Sequence, residues 1–183
     1  MSGRPIRGRP RWALFFGIAV AVVIVDQLSK AWLTGLLAPG EQLQIIGDWL
    51  RIVHGQNDGA IFGLFADQAL LFGLVSIGVM GLIVWFHRSS GRNTLLSIAL
   101  GLLLGGAIGN MIDRFRLGYV VDWVDAGIGS WRFYTFNVAD SAVSLAVLLL
   151  LLSALLPALG PSGHEEDPAL DAGPATTSEP TDA

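Results

Sequence analysis

From Trp12 to Val25 the chain carries no charged side chain and only one hydrogen-bonding side chain, the Trp12 indole. The apolar pattern resumes beyond Asp26 through Leu28, Ala31, Trp32 and Leu33. Three more stretches are of this kind: Gln68–Phe86, Thr94–Ile112 and Val138–Leu159. Each is near the roughly 20 residues that a helix needs to cross a hydrocarbon core about 30 Å thick. Lipid offers no partner to backbone N–H and C=O groups, so such segments must be helical. With 14% charged residues and a mean hydropathy of +0.59, a soluble globule of 183 residues would expose far too much apolar surface. The expected fold class is therefore an all-α integral membrane protein with four transmembrane helices.

Arg4, Arg7, Arg9 and Arg11 precede the first apolar run, as they would in a cleavable signal peptide. No small-x-small cleavage site follows, and the run reads as a retained helix. Six basic residues (these four with Arg88 and Arg92) fall on one side, against Lys30, Arg51, Arg114, Arg116 and Arg132 on the other. The dense cluster ahead of the first helix sets the orientation, with both termini cytoplasmic. Three regions follow: a basic N-terminus at 1–11, a transmembrane domain at 12–159 with outer segments at about 34–67 and 113–137, and a tail at 160–183. That tail holds six acidic residues and four prolines with no basic residue, and reads as disordered.

Cysteine is absent, which excludes disulfides, thiolate catalysis and cysteine-held metals. His54, His87 and His164 lack ligand spacing, so no metal site and no cofactor are expected. Ionisable groups in or beside apolar spans are costly and are functional candidates by default. Asp26, Lys30, Asp113, Arg114 and Asp140 fall toward the outer helix ends, with Asp122 and Asp125 in the outer segment between the third and fourth helices. Asp26 and Lys30 stand at i and i+4, the order that suits an ion pair. Asn110, Asp113 and Arg114 share one helix face, as do Asn137, Asp140 and Ser144. Asn137 also suits an N-cap with Asp140 in the first turn. Capping does not account for Asp113, since an acid at a helix C-terminus opposes the dipole unless Arg114 or another partner compensates. Gly101, Gly105 and Gly109 form a small-residue stripe that reads as a packing device.

Two carboxylates about 4 Å apart repel by roughly 4 kcal/mol at an effective dielectric near 20, so one retains a proton near neutral pH. Such a pair hydrolyses a peptide bond through water. Spacing alone does not choose among Asp113, Asp122, Asp125 and Asp140. A Ser/Lys dyad has only a weak local signal, because Ser29 adjoins Lys30 and points elsewhere on the helix. A transporter would carry more polar groups deep in its helices than Ser76 and Ser97. A scaffold explains the glycine stripe but not the gathered acids.

The blocks "DQLSK" (Asp26–Lys30), "NDGAIFG" (Asn57–Gly63), "GNMIDR" (Gly109–Arg114), "VVDW" (Val120–Trp123) and "FNVADSA" (Phe136–Ala142) resemble, in order, those of the bacterial lipoprotein signal peptidases. The resemblance covers roughly Trp12–Pro157. It implies an intramembrane-type aspartic endopeptidase of the bacterial cytoplasmic membrane, active near the outer leaflet. Such an enzyme cuts prolipoproteins before a diacylglyceryl-modified cysteine. By the same resemblance the catalytic pair is Asp122 and Asp140. Asp26, Lys30, Asn57, Gly59, Asn110, Asp113, Arg114, Asn137 and Ala139 bind substrate or support the site, Arg114 holding a polar part of the substrate. By the resemblance, residues around Asn57–Phe62 belong to a small β-rich platform on the outer face, and the second outer segment is a further loop that helps enclose the peptide. The β-prone "LRIVH" at Leu50–His54 agrees with the platform. Ile61 departs from the small residue usual there. The implied partners are prolipoprotein substrates and membrane lipids, without nucleic acid, and the implied state is a monomer.

Overall fold

Four helices and one small antiparallel sheet make up a computed structural model of the chain, which describes residues 9–58 and 69–156. Helix α1 spans Trp12–Leu36; strands β1 (Gln42–Ile46) and β2 (Leu50–Asn57) follow. Helices α2 (Ala69–Ser90) and α3 (Thr94–Leu117) come next, then strands β3 (Val120–Ile128) and β4 (Trp131–Arg132), and finally α4 (Val138–Leu155). Among the described residues α1, α3 and α4 are long and apolar enough to cross a membrane, and the apolar stretch described in α2 is the shorter Leu74–Ser90. Large apolar side chains such as Ile24, Leu28, Leu145 and Leu148 point outward from α1 and α4. Water would not tolerate that outer surface, whereas lipid does.

The small-residue stripe explains how α3 takes its central place. A Cβ added at Gly101 would come 2.7 Å from the Phe15 carbonyl oxygen, and one at Gly105 would come 2.7 Å from that of Ala19. The neighbouring Gly106 meets the Ala139 carbonyl oxygen at 2.5 Å in the same test. Backbone therefore lies directly on backbone at α1–α3 and α3–α4, the close approach that small residues permit in membranes. Below the stripe an apolar core gathers Phe15, Ala19, Ile83, Leu96, Leu100 and Leu104.

The start of α1 and the turn between α2 and α3 share one end of the bundle, as the charge pattern required. The Arg11 amide donates to the Gly91 carbonyl (2.9 Å), and the Arg11 guanidinium donates to that of Arg92 (3.1 Å). The buried His87 ring stacks on Phe15 with centroids 4.1 Å apart and meets the Ser97 hydroxyl at 3.2 Å. Ser97, read from sequence as a deep polar position, thus has its partners within this turn.

The opposite end carries the sheet, whose order is β1-β2-β3-β4. Its central pairing joins β2, from the segment after α1, to β3, from the segment after α3. Leu50 stands opposite Ala126 and Gly55 opposite Asp122, with an irregularity in register between Ile52 and Gly55. Such a bulge re-aims the side chains beyond it.

Three expectations change in detail. The third helix runs to Leu117 and is closed by left-handed Gly118, so Asp113 lies within the helix and not in the outer segment placed at 113–137. Its amide-to-carbonyl ladder gains a further turn because nothing in "DRFRL" disfavours helix. Asp122 lies on a strand, and not on an irregular loop. The platform extends past Leu50–Asn57 to take in residues 120–132. Gly59, Ile61, residues 1–8 and the acidic tail lie outside the described residues.

Candidate active site

Local chain chemistry builds the head of α4 first. The Asn137 side chain accepts from the Asp140 amide (2.9 Å), and the Asp140 carboxylate accepts from the Asn137 amide (3.2 Å). This reciprocal capping box satisfies N–H groups that the first turn would otherwise leave bare. Capping and site-building are not alternatives here, because the other half of the same Asn137 amide reaches across to β3. Its Nδ2 donates to Asp122 Oδ1 at 2.7 Å, and lies 3.1 Å from Asn110 Oδ1 and 3.3 Å from the Val121 carbonyl oxygen.

Asp122 is buried at 2% exposure, held on its second oxygen by Asn57 Nδ2 at 2.9 Å. Asp140 is half-buried, and its Oδ1 accepts from Asn110 Nδ2 at 2.8 Å. Three asparagines from β2, α3 and α4 thus hold two carboxylates from β3 and α4 in one hydrogen-bonded unit. Burial, followed by repulsion from Asp140, pushes the Asp122 carboxyl up from 3.8 to about 6, against the lowering effect of the Asn57 and Asn137 bonds. A carboxyl so placed takes up a proton close to neutral pH, while a neighbouring acid is at hand to activate water.

Beneath this unit lies a charged layer. Lys30 is 3% exposed, and its ammonium bridges Asp26 Oδ2 (2.7 Å) and Asp113 Oδ2 (2.8 Å). Asp26 Oδ1 accepts from the Ala139 amide at 3.0 Å, tying α1 to the head of α4. Asp113 Oδ2 accepts from the Val121 amide at 3.1 Å, which fixes β3 next to Asp122. The cation in direct contact with Asp113 is therefore Lys30. The Arg114 guanidinium donates to the Asn110 carbonyl at 3.3 Å and lies within electrostatic reach of Asp140, Asp122 and Asp113.

Gln27 was not singled out by sequence. Its side-chain amide donates to Asp113 Oδ1 at 2.9 Å and lies 3.2 Å from both Asp26 Oδ2 and the Gly109 carbonyl oxygen. The one available signal was its place next to Asp26 in "DQLSK". Asp125, a candidate by charge, belongs elsewhere: its carboxylate takes the Arg132 Nε at 2.7 and 2.9 Å. Arg132 also reaches the Asp48 carbonyl at 2.9 Å, so this acid secures a corner of the sheet. Among the described residues no three His, Cys, Asp or Glu side chains gather as a metal site would require.

Comparison with known proteins agrees with these blocks. Residues 18–156 match the family model described as signal peptidase (SPase) II. The chain belongs to the signal peptidase II family. It is 41% identical over 170 residues to the lipoprotein signal peptidase of Caulobacter vibrioides, covering 87% of this chain and 96% of the relative. The lipoprotein signal peptidase of Geobacillus kaustophilus is 38% identical over 152 residues, with 82% and 99% covered. A solved bacterial membrane enzyme superposes with a TM-score of 0.75 at 32% identity, covering 82% of this chain and 97% of its own. A second such structure gives the same TM-score at 31% identity, with 86% and 96% covered. Membership of the signal peptidase II family makes the chain a membrane-associated peptidase, and the sheet-end cluster is where its polar side chains converge.

Proposed function

We propose that this peptidase removes the signal peptide from prolipoproteins by aspartic chemistry, with Asp122 and Asp140 as the catalytic pair. The observation that carries this reading is the shared Asn137 amide, which donates to Asp122 while its own backbone N–H donates to Asp140. One carboxyl holds a proton and the other is ionised. The ionised acid removes a proton from a water that attacks the scissile carbonyl carbon. The protonated acid gives its proton to the carbonyl oxygen. As the tetrahedral diol collapses, the C–N bond breaks, the acid that took the water's proton passes it to the leaving amine, and a diol hydroxyl returns its proton to the other acid as the new carboxyl group forms, so both acids regain their starting states. Asn57, Asn110 and Asn137 hold the pair in place; Arg114, half-buried beside Asp140, meets a polar part of the substrate. Gly59 is assigned a substrate-binding or supporting role by its place in the "NDGAIFG" block.

The leaving amine is that of a diacylglyceryl-modified cysteine, whose lipid anchors the scissile bond at the bilayer surface. Helix α2, at 22 residues, is roughly 33 Å long at 1.5 Å per residue, enough for a fourth span. With four spans, both termini are cytoplasmic and the sheet lies at the outer face of the bacterial inner membrane. The enzyme works as a monomer, because one chain supplies the whole cluster.

The test is cleavage of a diacylglyceryl-modified prolipoprotein by purified full-length chain in detergent or bilayer. Asp122→Asn and Asp140→Asn should each lose at least about 10³-fold in kcat while remaining folded, by analogy with loss of an essential acid or base. Full turnover in either variant rejects the pair.

A further inference from the structure

The charged layer below the two carboxylates does more than fill space. A lysine ammonium has three N–H donors and no acceptor. Lys30, the single lysine of the chain, directs them to Asp26 Oδ2, Asp113 Oδ2 and, at 3.2 Å, Asn110 Oδ1. The same Asn110 oxygen accepts from Asn137 Nδ2 at 3.1 Å. Two donors on one oxygen leave the Asn110 amide a single favourable orientation, with its N–H₂ toward Asp140 Oδ1 at 2.8 Å. A flipped amide would turn N–H toward the ammonium and toward Asn137, and would set its carbonyl against the Asp140 carboxylate. All three contacts would be repulsive.

We propose that Lys30 is a positioning residue for the cleavage reaction, orienting the Asn110 amide so that it donates to Asp140 and holds that carboxylate at its working angle. Asp26 and Asp113 in turn hold the ammonium, each also fixing a backbone amide beside the site, Ala139 and Val121. The inference rests on the Asp122/Asp140 reading above. It differs from a purely structural role in where the effect of Lys30 is felt. Loss of the lysine should act on the chemical step, and only while Asn110 is present.

The experiment is a double-mutant cycle on the full chain with diacylglyceryl-modified prolipoprotein, pairing Lys30→Met with Asn110→Ala. Lys30→Met should lower kcat by about 30-fold or more with KM within about twofold, the pattern of a misoriented catalytic group. In the Asn110→Ala background the same change should cost under about threefold, since nothing remains to orient. Lys30→Gln, which keeps a donor without the charge, should recover part of the lost kcat. If Lys30→Met does not fold, both arms of the cycle, with and without Asn110→Ala, are run in an Asp113→Asn background, where loss of the ammonium leaves the layer with the net charge it has in the wild type. Equal losses of kcat with and without the Asn110 side chain overturn the proposal. So does a drop in thermal stability with kcat unchanged. Failure of the underlying reading is seen separately, as turnover retained by Asp122→Asn.

Discussion

Asp122→Asn should make the protein more stable at alkaline pH while abolishing its activity. The wild-type carboxyl is raised from 3.8 to about 6 in the folded chain by burial and by Asp140. The folded chain thus binds this proton more tightly than the unfolded chain. Stability from this group is full below about pH 4 and is lost as pH rises to about 6. At about 1.4 kcal/mol per tenfold, keeping the acid ionised above that range costs the fold about 3 kcal/mol. An amide stays neutral throughout and avoids the cost, but its NH₂ group confronts Asn57 Nδ2, losing about 1 kcal/mol of hydrogen bond. The net gain is about 2 kcal/mol at pH 8, or about 4–8 °C for a chain of this size, turning to a loss of about 1 kcal/mol near pH 4. Thermal unfolding in detergent, followed by tryptophan fluorescence across pH 4 to 8, reads this directly. Equal or lower stability of the variant at pH 8, or a gain that does not vary with pH, refutes the reasoning.

Two further outcomes follow from the packing and from the sheet. Gly105→Val places branched carbon against the Ala19 backbone, where even a Cβ would stand 2.7 Å from oxygen; α1 and α3 must separate, and we expect at least about 3 kcal/mol lost, seen as a lower melting temperature and loss of turnover. Asp125→Asn should leave kcat within about threefold of wild type in the same cleavage assay, because its carboxylate serves Arg132 and not the asparagine-held pair.

How much of this was legible in the sequence depends on the kind of signal. Helix starts were well marked: Trp12, Thr94 and Val138 begin apolar periods, and Asn93 and Asn137 cap the last two with side chains that accept from Leu96 and Asp140. Helix ends were less so, since "DRFRL" reads as polar outer segment although it continues α3. The Asp26–Lys30 pair was plain from its i, i+4 spacing. Its extension to Asp113 was not, because contact between α1 and α3 depends on which glycines allow backbone approach. Strand β3 was hidden for a related reason. Its partner β2 lies more than 60 residues earlier, and pairing across that distance leaves no local mark on "VVDWVDAGI". Spacing alone did not choose between Asp122 and Asp125; the resemblance of "VVDW" pointed to Asp122, and the strand pairing supplies a physical reason for the difference between them. Residues three apart on one strand face opposite sides, so the sheet that turns Asp122 toward the helices turns Asp125 toward Arg132.

The proposed pair shares one proton where β3 meets the head of α4, and infrared difference spectroscopy of the purified chain counts its protonated carboxyls. The wild type should show a carboxylic-acid C=O band that titrates away near pH 6, is missing in Asp122→Asn, and titrates at lower pH in Asp140→Asn, where the repulsion is gone. A wild type with no such band at pH 5, or a band left unchanged in both variants, would contradict the shared proton.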